Sequence, residues 1–420
     1  METSATFLGS LFWGIVTFSL LVVIHEGGHF AAARLFGVRV HEFMIGLPGP
    51  AIRFTGRRTV FGITAIPLGG YVRIAGMEPG AEDDRLSDAL GVALDARTVD
   101  ADDLSRRLGV SRARADALLI TLEDYAAVVP GAQSGSYDCV VEAVGDEAST
   151  AVLARLRAST YRGRPPWQRI TILSMGVILN LLTAIFVFTL TLSVWGVPTA
   201  TTTIDLVEKG KPAAVAGVRA GDTLIAVDGH SVTEWMGLLE TMRSVTPSEA
   251  TTLVVKRGSS RLTLKVTPAK REGRAYLGIA PTVRNVRMAP TRALVESIRW
   301  TGMVFVAVYH LFNPATFATS IQGARSVVGI SVEVEKAARS GALDYAWLVA
   351  LLSLSLGVMN IVPIPPLDGG KIALEVVEGI AGRPVHRGVY LAISAMGAVL
   401  LFSLIGYLMY ADVVRLVQGG

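Results

Sequence analysis

The chain has 420 residues, 51% of them hydrophobic and only 18% charged, with a mean hydropathy of +0.48 and a formal charge of +4. That is too apolar for an average soluble protein and predicts an integral membrane protein. The single cysteine, Cys139, excludes an intrachain disulfide and a thiolate metal cluster, so any metal must take His and carboxylate ligands.

The first apolar run, 7–36, exceeds the ~20 residues that cross a bilayer as a helix. It has no basic segment ahead of it and reads as a retained span rather than a cleaved signal. Inside it stand His25-Glu26-Gly27-Gly28-His29, a HEXXH pattern. Residues four apart share a helix face, so His25 and His29 can reach one metal ion, with Glu26 beside them to take a proton from water. From 38 to 75 the pattern shifts to short β-like runs, 38–44, 51–54 and 60–66, followed by Pro67-Leu68-Gly69-Gly70-Tyr71-Val72. This predicts a small sheet near the membrane, where a run such as 60–66 can pair with an extended substrate or shield the site.

Residues 80–160 carry fifteen acidic side chains against eight arginines. Two helical runs, 101–108 and 112–123, flank Gly109 and Ser111, and a hairpin is expected within 125–141, which together predict a winged-helix-like insertion. Arg106, Arg107, Arg112 and Arg114 are its candidate DNA contacts, yet a net charge of −7 argues against a phosphate footprint. A cytoplasmic protein partner or a structural role is the stronger reading.

A second apolar run, 170–197, contains Gly176-Val177 and Asn180, the latter read as packing glue between spans. The soluble stretch that follows resembles a bacterial PDZ domain in Pro212-Ala213-Ala214-Val215-Ala216-Gly217-Val218, Ala220-Gly221-Asp222-Thr223-Leu224, Ala226-Val227-Asp228-Gly229 and Tyr276-Leu277-Gly278-Ile279. Such domains bind peptide at a sheet edge through backbone amides, which makes Gly278 and Ile279 candidate substrate contacts; the alternative is a purely steric role as a size filter. Residues 293–312, interrupted by Glu296 and Arg299, are expected as an amphipathic helix at the outer interface anchored by Trp300.

Two further apolar runs, 346–364 and 388–410, complete four expected spans. Between them lies Asn360-Ile361-Val362-Pro363-Ile364-Pro365-Pro366-Leu367-Asp368-Gly369-Gly370. A carboxylate at membrane depth needs a partner, so Asp368 joins His25 and His29 in a two-His, one-carboxylate site with a position open for water. The prolines break the helix, and broken backbone at such depth lines a wet cavity, placing Pro363 and Asn360 on the substrate side. Asn360 can serve a substrate carbonyl or a contact between helices. Arg34, Arg39, Arg162, Arg164, Arg169, Lys371, Arg383 and Arg387 mark the cytoplasmic loops, with both termini outward.

The HEXXH run, the 67–72 string, the PDZ strings and 360–370 occur in an order that resembles the site-2 protease family of intramembrane zinc metalloproteases. The match is closest to its bacterial PDZ-containing branch, which cleaves anti-sigma factors. The likeness covers about 7–78 and 165–412. It implies that zinc is held by His25, His29 and Asp368, that Glu26 is the general base, and that Asn360 contacts a single-span membrane substrate already trimmed once. It also implies a multi-pass protein of the bacterial inner membrane, in contact with lipid. The chain departs from the family in having Gly176-Val177 where Gly-Pro is usual, and in the 80–160 insertion. The expected organisation is a first span, 1–37; a membrane-associated sheet, 38–78; the insertion, 80–160; a second span, 165–197; PDZ, 198–286; an interfacial helix and linker, 290–342; a third span, 343–370; and a fourth, 386–412. His and carboxylate ligands alone leave iron or cobalt open. The competing reading is a non-catalytic membrane adaptor with a structural metal site, against which the intact Glu26 argues; a transporter would need internal repeats that are not visible.

Overall fold

A computed structural model describes residues 2–417 except 57, 68, 78–81, 144–146, 272 and 324, so Leu68 of the 67–72 string lies outside the described residues. The chain forms two compact units, 1–188 with 296–420, and 189–295. Among the described residues four helical segments are long and apolar enough to cross a membrane: Leu8–Leu35, Pro166–Val194, Ala342–Ile361 and Gly388–Val414.

Helix α1 (Glu2–Leu35) ends in a turn at Gly37, whose φ of +69° suits glycine, and leads into β1 (Val40–Ile45). With β2 (Ala51–Thr55), β3 (Val60–Thr64) and β4 (Gly70–Ile74) it builds a sheet of order β2-β3-β1-β4. β1 is parallel to β3, with Phe43 opposite Phe61, and antiparallel to β4, with Phe43 opposite Val72. The expectation that 60–66 accepts a substrate strand fails here, because β3 spends both edges on β2 and β1. The edge strands are β2 and β4. β4 lies against α1, where a Cβ on Gly70 would come 3.0 Å from Val22, one turn before His25.

The insertion runs α2 (Leu86–Ala96), β5 (Thr98–Asp100), α3 (Ala101–Leu108), α4 (Arg112–Asp124), β6 (Val128–Pro130), β7 (Ser136–Cys139), α5 (Ser149–Arg157), with strand order β5-β7-β6. Asp100 caps α3 through the Asp103 amide, Gly109 ends it in the left-handed region, and Ser111 caps α4. Leu90, Leu104, Leu118, Leu119 and Leu122 fill its core. Asp124, buried at the end of α4, fixes the module to the sheet: His41 Nε2 donates to its carbonyl at 2.8 Å, and the Gly76 amide donates to its carboxylate at 2.5 Å.

Helix α6 (Pro166–Val194) begins at proline, which lacks the amide a first helical turn leaves unused. In the second unit β8 (Val197–Val207), α7 (Pro212–Val215), β9 (Thr223–Val227), β10 (His230–Ser231), α8 (Trp235–Ser244), β11 (Thr251–Arg257), β12 (Ser260–Val266), β13 (Ala269–Arg271), β14 (Arg274–Tyr276) and β15 (Ile279–Val286) succeed one another. The main sheet has order β12-β11-β9-β8-β15, around Ile204, Leu224, Val227, Leu253 and Val255.

The remaining helices are α9 (Pro290–Phe312), α10 (Phe317–Gly323), α11 (Val327–Ser340), α12 (Ala342–Ile361), α13 (Asp368–Ala381) and α14 (Arg387–Val417). At 293–312, Trp300 meets Trp347 at a tilt with centroids 5.0 Å apart, while Phe312 shares an apolar cavity with Met359, so α9 lies beside α12 and points the same way. The physical reason is the stripe Trp300, Val304, Val308, which packs on Phe188, Ala350, Leu354 and Val358. α11 then returns antiparallel to α1, with Ser331 beside Gly14 and the Glu335 carboxylate accepting from Ser10. This hairpin leaves by the end it entered, so α1 and α12 keep the same direction. The third span also stops sooner than expected, at Ile361, and Asp368 opens a separate helix.

Candidate active site

His25 and His29 lie one turn apart on α1, and both rings are buried. Asp368 reaches them from α13 after the irregular segment 362–367. The turn is tight by sequence: a Cβ on Gly369 would fall 2.2 Å from the Ile361 oxygen, and one on Gly370 2.1 Å from the Pro365 nitrogen. Only glycines let the first turn of α13 fold back under the end of α12.

The His25 and His29 Nε2 atoms stand 3.3 Å apart, and Asp368 Oδ2 lies 2.8 and 3.1 Å from them. Ligands at about 2.0–2.1 Å on a tetrahedron are separated by roughly 3.3 Å, so these three donors fit one zinc ion with small adjustments. The other Asp368 oxygen accepts from Lys371 Nζ at 3.2 Å, which leaves Oδ2 directed at the histidines. Glu26 is half-buried and lies within the electrostatic reach of His25, His29, Asp368 and Lys371.

α6 supplies the backing of the site. His29 Nδ1 donates to the Ile172 carbonyl at 2.8 Å, Asn180 Nδ2 lies 3.3 Å from His25 Nδ1, and Gly176 sits between them against both histidines. Ile172, Gly176 and Asn180 are four apart, so one face of α6 covers the HEXXH turn. In the sequence Asn180 reads as packing glue and Lys371 as a loop charge; the four-residue spacing around Gly176 is the signal that links Asn180 to the histidines.

The other predicted residues stand apart from this cluster. Asn360 turns its amide back to the Leu356 carbonyl at 3.0 Å, and Pro363 is exposed. Gly278, at φ +77°, accepts from the Glu208 amide, and Ile279 begins the edge strand β15 opposite Val207. In the insertion, Arg106 and Arg107 pair with Asp103, Arg112 with Asp102, and Arg114 with Asp83 and Asp84, so the four candidate DNA contacts are neutralised by their own module. Arg114 holds the Asp83 carboxyl below its ordinary range. Beside the start of α6, Tyr161 and Arg169 enclose Glu375, and burial pushes the Glu375 carboxyl up.

The profile of peptidase family M50 matches residues 13–404. This chain belongs to peptidase family M50. Its similarity to curated relatives runs end to end: 25% identity to the regulator of sigma-W protease RasP of Bacillus subtilis, over 98% of this chain and 99% of that protein. It is 27% identical to the zinc metalloprotease RasP of Bacillus licheniformis, covering 96% and 98%, and 27% to that of Geobacillus kaustophilus, covering 97% and 98%. The M50 peptidase is thus a zinc-dependent metalloprotease of the site-2 kind, with helices suited to spanning a membrane.

Proposed function

We propose that this M50 peptidase is an intramembrane endopeptidase that cuts single-span membrane proteins, anti-sigma factors among them, after a first cut has trimmed the outer domain. The convergence of His25 Nε2, His29 Nε2 and Asp368 Oδ2 on one buried point carries the reading. In this proposal these three residues hold zinc. The ion, when bound, supplies a Lewis acid that polarises the scissile carbonyl and makes a water nucleophilic near neutral pH. Glu26 takes the proton of the attacking water and delivers it to the leaving amine. Lys371 keeps Asp368 from swinging away from the histidines.

A helical substrate hides its carbonyls, so it must unwind to be cut. We assign the receiving edge to β4, the edge strand packed against α1 near Val22, where added main-chain hydrogen bonds would hold the substrate extended. Asn360 and Pro363 flank its path at the end of α12. In the PDZ-like unit, Gly278 and Ile279 at the start of edge strand β15 receive a peptide end, which selects trimmed substrates. The winged-helix-like insertion is assigned a cytoplasmic protein partner rather than nucleic acid, given its paired arginines. We place the protein in a bacterial inner membrane with both termini outward.

The test is metal content and cleavage of a single-span anti-sigma substrate in detergent by Glu26→Gln and Asp368→Asn. Glu26→Gln is expected to keep zinc and lose about 10²- to 10⁴-fold in rate, the usual worth of a positioned base. Asp368→Asn should lose both zinc and activity. Cleavage by Glu26→Gln at the wild-type rate overturns the mechanism.

A further inference from the structure

We infer that Asn180 is a positioning residue whose side-chain amide, turned to offer its oxygen, accepts from His25 Nδ1–H and so frees the Nε2 lone pair for the metal. The inference rests on the proposal that His25 is a zinc ligand. His29 shows what such a ligand requires. Its Nδ1–H is given to the Ile172 carbonyl, an atom that can only accept, so in the neutral ring Nε2 carries the lone pair. Among the described residues no backbone carbonyl takes that role for His25. Its Nδ1 meets Asn180, two turns further along the same face of α6, at 3.3 Å.

Asn180 is fully buried, and its main-chain carbonyl accepts from Ser353 Oγ at 2.9 Å, which pins the backbone at that point to α12. The side chain is satisfied on one side only: Nδ2 faces the imidazole, while the buried Oδ1 has no hydrogen-bond partner among the described residues. As the groups stand, Asn180 donates to Nδ1, so the His25 proton sits on Nε2 and is directed at Asp368 Oδ2, 2.8 Å away. A ring in that state cannot ligate through Nε2. Turning the amide end for end keeps its outline and brings Oδ1 to Nδ1. Nδ1 then donates, Nε2 is freed, and His25 reaches the state His29 already holds. Asparagine carries a donor and an acceptor on one flat group and so serves both tautomers; aspartate in its place would serve only the metal-binding one.

The experiment uses the full chain in detergent and compares wild type, Asn180→Ala, Asn180→Asp and His25→Ala. It reads zinc affinity by competition with a chromophoric chelator at pH 8, alongside thermal stability. Asn180→Ala is expected to bind zinc about 10- to 100-fold more weakly, the usual cost of removing a ligand's hydrogen-bond partner, and Asn180→Asp to stay within a few-fold of wild type. Wild-type affinity in both variants, with stability lowered, makes Asn180 a packing residue and overturns the inference. So does equal weakening in both. His25→Ala with undiminished zinc affinity would instead refute the ligand assignment. Should Asn180→Ala fail to fold, ¹⁵N-histidine spectra of zinc-free wild type and Asn180→Asp decide the matter, with His25 assigned by its loss in His25→Ala. A larger share of the Nδ1–H tautomer in Asn180→Asp is expected, and the same tautomer balance in both overturns the inference.

Discussion

Gly28 on α1 rests against the backbone of Gly176 on α6: a Cβ on Gly28 would stand 2.8 Å from the Gly176 Cα and 2.4 Å from the Met175 oxygen. A Cβ on Gly176 would in turn reach 2.5 Å from His29 Nε2, the atom proposed to face the metal. A Cβ on Gly27, the neighbour in the same motif, would meet nothing within 4 Å beyond its own helix backbone among the described residues. Gly28→Ala and Gly176→Ala are therefore expected to force α1 and α6 apart, costing about 1–3 kcal/mol each, with zinc and activity lost together. Gly27→Ala should keep both and gain slightly in helix stability. Zinc stoichiometry and thermal melts on the three variants check this.

The order of strands in the small sheet predicts where a substrate lies. With Cys139 replaced by serine, a cysteine at Arg73 on β4 should form a disulfide with cysteines placed around the cleavage region of a single-span substrate. A cysteine at Arg53 on β2, the opposite edge, should not. Cross-linking at Arg53 alone would move the substrate to the other edge.

Asp222 joins the turn before β9 to the end of β11. Its carboxylate accepts from the Arg219 amide and from Arg257, whose guanidinium holds the Asp222 carboxyl below its ordinary value near 3.8. A lowered folded-state pKa gives stability that is present above the unfolded value and is lost as acid protonates the group. In the full chain, the protection of amides 217–222, corrected for the intrinsic pH dependence of exchange, should therefore fall as pH drops below about 4, the unfolded carboxylate value. Asp222→Asn, which removes a buried charged acceptor, should exchange faster at pH 7 by an amount equivalent to about 2 kcal/mol, and should show little of that acid dependence.

The arginines of the insertion predict a negative result with a definite form. Full-length protein mixed with labelled duplex DNA at physiological salt should give no salt-dependent anisotropy change, because each arginine on α3 and α4 already faces a carboxylate of its own module. Exposed pairs of this kind add little to stability, so Arg112→Ala should melt within about 0.5 kcal/mol of wild type.

What the sequence makes legible here is whatever depends on local period. The four-residue spacing of His25 and His29 puts them on one helix face wherever that helix sits, and an acid among prolines at the end of an apolar run marks Asp368 before any contact is known. Asn180 is different. Its partner is set by the register of α6 on α1, a long-range packing outcome, and a lone asparagine in a span looks the same whether it glues helices or faces a histidine. Strand order has the same character: alternation identifies 60–64 as a strand but is silent on whether its edges are taken. For α9, the stripe Trp300, Val304, Val308 marks an apolar face, but only the structure shows that Phe188 and Trp347 are its partners.

His25 and Asp368 are 343 residues apart in the chain, yet their side chains meet at 2.8 Å. A metal held there is a cross-link as well as a reagent, closing a loop that takes in most of the polypeptide. Closing so long a loop removes freedom chiefly from the unfolded chain. Chelation should accordingly do more than stop turnover: it should lower the melting temperature and loosen the first turn of α13 before α1, whose two histidines stay on one continuous helix. The proposed cutting centre is, on this view, also a clasp between the first helix and the last part of the chain.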